Sequence, residues 1–66
     1  MVEIYFDYEP PQGIMVTIHD GPKVYHELFA GYSQFNAWLR SEYWGVEPIM
    51  VTDENYSKLK QLGKVS

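Results

Sequence analysis

Sixty-six residues without a cysteine make one domain, residues 1–66, with no disulfide and no thiolate chemistry, and a chain this short buries only about 60% of its unfolded surface. Nine acids against five bases give a net charge of −4: residues 1–54 hold every acid with only Lys23 and Arg40, and residues 55–66 hold Lys58, Lys60 and Lys64 and no acid. An acidic body repels phosphate, which disfavours nucleic acid as a partner, while the absence of a basic leader in MVEIYFDYE and of an apolar run near the roughly 20 residues of a membrane span points to a soluble, cytoplasmic chain.

Val2, Ile4, Phe6 and Tyr8 alternate with Glu3, Tyr5 and Asp7, the period of a strand. Pro10, Pro11 and Gly13 break it. Ile14, Val16 and Ile18 alternate with Met15, Thr17 and His19 to give a second strand, and KVYHELF, residues 23–29, a third. The loop between these two strands decides which residues share a face. A two-residue loop pairs Val16 with Glu27; a three-residue loop pairs Val16 with His26 and keeps Glu27 off the inner face. An unpaired buried carboxylate is costly, so the three-residue register is expected. The inner face then holds Val2, Ile4, Phe6, Tyr8, Ile14, Val16, Ile18, Val24 and Leu28. Glu3, Tyr5, Asp7, Tyr25, Glu27 and Phe29 face outward.

Five of the fifteen residues in GYSQFNAWLRSEYWG, residues 31–45, are aromatic. Ser33 suits an N-cap and Gly45 a C-terminal stop, with Phe35, Trp38 and Leu39 on one helical stripe. Trp44 falls on the far side of that helix, and Tyr32 precedes the expected cap. Glu47-Pro48 resists helix, and Ile49–Val51 reads as a short fourth strand. Thr52 caps a second helix with Asp53 and Glu54 in its first turn. Tyr56, Leu59 and Leu62 form its inward stripe, Gly63 ends it, and residues 64–66 make a frayed tail. The fold class is α+β in the order β-β-β-α-β-α: a three-stranded antiparallel meander plus a short parallel fourth strand. The strand order is 3-2-1-4, and both helices lie on one face.

No pattern here carries catalysis. His19 and Glu3, as cross-strand neighbours, could form a base pair of the general-acid/base kind, but no nucleophile or cleft accompanies them. His19, Asp20 and His26 do not have metal-ligand spacing, and in the expected register the histidines face opposite ways. The glycines match no nucleotide fingerprint. The reading is therefore a non-enzyme with no cofactor and no metal. Tyr5, Tyr25 and Phe29 on an open sheet could stack bases, but Glu3, Asp7 and Glu27 among them would repel phosphates. Aromatic anchors ringed by carboxylates suit a basic protein partner better. The expected partner-binding residues are Glu3, Tyr5, Asp7, Tyr25, Glu27 and Trp44. In size and acidity the chain resembles the small accessory proteins of phages and mobile elements, some of which inhibit host enzymes by offering an acidic surface. The function expected is a non-enzymatic module docking on a larger, basic-grooved protein. The alternatives are a homo-oligomeric structural module, such as a homodimer, using its outer sheet face and, behind both, a small histidine-dependent enzyme or metal-binding domain.

Overall fold

Strict alternation in the N-terminal third becomes a long hairpin in the computed structural model, which describes residues 1–65. Strands β1 (Val2–Glu9), β2 (Gly13–Asp20) and β3 (Lys23–Phe29) form an antiparallel meander. Helix α1 (Tyr32–Glu42) crosses back, and the two-residue β4 (Ile49–Met50) pairs parallel to β1. Helix α2 (Asp53–Gln61) follows. The sheet order is β3-β2-β1-β4, as the meander and a crossover through α1 require.

Ile4 lies opposite Ile18 and Phe6 opposite Val16, so the apolar set of each strand shares one face. Phe35 and Leu39 of α1 close over that face, and with Ile4, Ile14, Val16 and Ile18 they make the core. Burying each such side chain is worth about 1.5–3 kcal/mol. The aromatic excess of α1 continues this core as a run of rings. Phe35 packs on Phe6 at 5.1 Å between centroids and on Phe29 at 5.7 Å. Trp38, half-buried, bridges Phe29 at 5.1 Å and Tyr43 at 5.2 Å.

Three local expectations are corrected. The β2–β3 turn has two residues, Gly21 and Pro22, which pair Ile18 with Tyr25 and Val16 with Glu27. Gly21 sits at φ +61°, and proline holds a negative φ after it. That sign pattern belongs to the type II′ turn, whose twist matches a hairpin. Glu27 escapes the expected penalty because β3 is an edge strand and its carboxylate stays exposed. In α1 the N-cap is Gly31, not Ser33. Gly31 makes no side-chain cap bond, and Phe35 N–H reaches its carbonyl at 3.2 Å. The helix ends before Trp44, which is 83% exposed.

The third correction concerns α2, which does not share a face with α1. Its Tyr56, and Val65 beyond it, border a hollow of about 130 Å³ with Tyr5, Asp7, Thr17 and His26 on the opposite side of the sheet. No residue of α2 is buried, and Tyr56 and Leu62 of the expected inward stripe are exposed. Its ends are nonetheless well made. Thr52 and Asn55 form a reciprocal capping box, and Asn55 also donates to the Met50 carbonyl at 3.0 Å. Lys64 N–H returns to Leu59 and Gly63 N–H to Lys60, a Schellman closure with Gly63 at φ +75°.

Gly13 is where the hairpin tolerates no side chain. It has φ +125°, and a Cβ there would stand 2.1 Å from the Phe29 carbonyl oxygen. At Gly21 a Cβ would meet nothing within 4 Å. Gly13→Ala is expected to cost more than about 3 kcal/mol, whereas Gly21→Ala should cost only about 1–2 kcal/mol. Urea melts of the two variants check this; equal midpoints would show that the Gly13 backbone yields.

Candidate functional site

The new register redistributes the side chains expected to bind a partner. Glu3, Tyr5 and Asp7 lie on the face turned away from α1, while Tyr25 and Glu27 lie on the α1 face. Trp44 follows the C-terminal end of α1. The six expected residues therefore form two groups rather than one.

The first group is not an open surface. Tyr5 is only 4% exposed, against the expectation. The His19 ring stands edge-on to it at 5.8 Å. Its hydroxyl donates to Glu3 Oε1 at 3.2 Å, and Lys64 Nζ meets the same oxygen at 2.6 Å. His19 Nε2–H donates to the Lys64 carbonyl at 2.8 Å. Residues 64 and 65, expected to fray, are instead tied across β1 and β2; Ser66 lies outside the described residues. The hydrogen bond from Lys64 pulls the Glu3 carboxyl below the ordinary range, helped by Tyr5 and opposed by partial burial. Glu3 in turn raises Lys64. Burial first, then Glu3, raises the Tyr5 phenol. This cluster is a clamp holding the end of α2 to the sheet. His19 and His26 share its face, contrary to the expected register, in which they faced opposite ways. Among the described residues no group of three or more His, Asp or Glu side chains could hold a metal ion.

The second group belongs to a larger feature. Between β3 and the C-terminal end of α1 lies a depression of about 260 Å³. Trp38, Tyr25 and Tyr43 supply its aromatic walls, and Asp20, Glu27 and Glu42 its carboxylates. Burial raises the Tyr43 phenol, and the charges of Asp20, Glu42 and Glu27 push it further the same way. Among the described residues Asp20 and Glu27 have no ion pair, and Glu42 takes only a hydrogen bond from its neighbour Ser41. Lys23 lies across the ladder from Asp20. Trp44, next in the chain to Tyr43, is exposed to solvent.

Asp20, Trp38, Glu42 and Tyr43 were absent from the sequence-based set. Trp38 and Tyr43 read as core by helical spacing. Asp20 and Glu42 join the site only when the two-residue turn swings Tyr25 and Glu27 to the α1 side. The Gly-Pro dipeptide is the signal that could have shown this. Among the described residues no helix is long and apolar enough to cross a membrane. No family model matches the chain, and no curated protein or solved structure does either.

The clamp has a pH signature. A carboxyl lowered on folding adds stability above its unfolded value and loses it as pH falls through the folded one. The raised Lys64 and Tyr5 add stability that is lost as pH rises through their folded values. Urea midpoints of the parent should therefore fall on both sides of neutrality. Glu3→Gln should flatten both limbs, modestly, because the pair is partly exposed. Identical pH profiles for parent and variant would mean that the clamp adds no stability.

Proposed function

We propose that this chain is a non-enzymatic, cytoplasmic module that binds a larger protein through the depression between β3 and α1, seating a basic side chain or segment there. What supports the reading is the composition of that one place. Three carboxylates that have no cationic partner among the described residues surround three aromatic rings. Aromatic faces attract Lys and Arg through the ring quadrupole, and carboxylates complete the recognition. Tyrosine and tryptophan are also the side chains that most often anchor an interface. Trp44, one residue after Tyr43, supplies a further exposed indole.

A basic groove that normally takes nucleic acid is the kind of target such a surface fits. An accessory or inhibitory protein of the phage and mobile-element type would act in this way, by occupying the groove with acid. The uneven charge favours the same orientation, since the cations Lys58, Lys60 and Lys64 belong to α2 and its tail, beyond the other face. Long-range attraction would then speed association at low salt.

The test uses defined probes. A short Lys/Arg-rich peptide should bind in the micromolar range, change the tryptophan emission and weaken as salt is added; an acidic peptide and duplex DNA should not bind. Glu27→Lys with Glu42→Lys should lower affinity at least about tenfold, mainly by slowing association. Tyr25→Ala with Trp44→Ala should lower it by a similar factor without changing the melting temperature by more than a few degrees, both residues being exposed. Equal affinity for the two peptides, or indifference to the charge reversal, would refute the assignment.

A further inference from the structure

The two edges of the sheet differ. β4 offers two residues, but β3 offers seven in unbroken register with β2. Every β3 residue except the half-buried Phe29 is exposed. Sheet edges are ordinarily blunted by proline, a bulge or charge, because unpaired N–H and C=O groups recruit other strands. From Val24 to Phe29 there is no proline and no bulge, and Glu27 is the one charged residue.

The turn decides which backbone groups are free. Asp20 and Lys23 flank Gly21-Pro22, and the pair closing a two-residue turn exchanges hydrogen bonds, after which the pattern alternates. Lys23, Tyr25, Glu27 and Phe29 therefore bond to β2, while Val24, His26 and Leu28 turn their N–H and C=O groups to solvent. The far side of the sheet agrees. Val51 N–H reaches the Phe6 carbonyl at 2.8 Å, so Phe6 turns away from its β2 partner Val16, leaving Val16 to bond with Glu27.

We propose that β3 pairs antiparallel with β3 of a second copy, about a two-fold axis at His26. Val24 then stands opposite Leu28 of the second copy and His26 opposite its counterpart, each pair exchanging both backbone bonds. On the α1 face Tyr25 meets Glu27 of the second copy, a phenol donor facing a carboxylate. Lys23 meets Phe29, and no like charges oppose. Neighbouring registers are worse. An axis at Glu27 sets that carboxylate against itself. An axis at Tyr25 puts Leu28 opposite Pro22, which has no N–H. An axis between residues opposes unlike faces. This self-complementarity favours a second copy over a foreign strand. Met15 faces Leu28 across the β2–β3 ladder, so the outer face gains an apolar row of Met15, Leu28 and Val24 of the second copy. Met15, Val24 and Leu28 are 42%, 50% and 55% exposed in the single chain, and pairing removes part of that surface from water.

The pairing engages Tyr25 and Glu27, which also border the depression, but it needs no basic partner, so the chain alone tests it apart from the proposed function. Sedimentation of the chain alone, from micromolar to millimolar concentration, should show a reversible monomer–dimer equilibrium. His26→Pro separates dimerisation from folding. Its outward N–H bonds to no described residue of the monomer, so proline spares the β2 ladder and removes the central bonds of the dimer. The dissociation constant should rise at least about tenfold with the circular dichroism unchanged. Engineered cysteines give a second readout, because the chain has none of its own among the described residues. Oxidising a mixture of Val24→Cys and Leu28→Cys chains should cross-link one to the other, and neither to itself. A parent that stays monomeric throughout, a dimer untouched by a folded His26→Pro, or self-linking as fast as mixed linking overturns the proposal.

Discussion

The sign of φ at Gly21 organises much of this molecule. A positive φ followed by proline makes a two-residue reversal whose twist suits the hairpin. With the turn set, register follows, and with register the face of every β3 side chain. Tyr25 and Glu27 go to the helix side, where they meet Trp38 and Glu42 around the depression. Val24 and Leu28 go to the other side, beside Met15. One more residue in the loop would reverse all of these placements and dissolve the acid–aromatic site.

The two helices are held by different physics. α1 is an ordinary core helix, with a weak N-terminal cap but two buried apolar side chains and a chain of packed rings. Hydrophobic burial fixes it, and its capping matters little. α2 is the reverse. It has a full capping box and a Schellman closure, yet buries no residue. Polar contacts at its end take over, through Glu3, Tyr5, His19 and Lys64. A short chain with one apolar layer has little left for a second helix, and it attaches that helix by charge and hydrogen bonds.

Element order, sheet order and the main core were legible in the residues. Period-two alternation marked β1 and β2, Phe35 and Leu39 marked the inner face of α1, and Thr52 marked the start of α2. These signals are local or concern one periodicity. What was not legible depended on choices between nearly equal registers or on distant contacts. The β2–β3 register turned on the cost of burying Glu27, and an edge strand makes that cost vanish. The burial of Tyr5 depended on Lys64, some 60 residues away in sequence, reaching Glu3. Tyr25, Glu27 and Trp44 kept their exposure, whereas Asp20 and Glu42 entered the site only through tertiary proximity.

The shortness of β4 bears on motion. Only Ile49 and Met50 pair with β1, followed by the single bond from Val51 to Phe6, and the α2 beyond them has no fully buried side chain. Residues 49–65 thus form a cooperative unit of low free energy that opens before the three-stranded meander does, and its amides should be the first to exchange with solvent deuterium. Such an opening bares β1, the strand that carries Ile4 and Phe6, along the side β4 had covered. The clamp at Glu3 and Lys64 is then a latch on the second edge of the sheet as much as a tether for a helix.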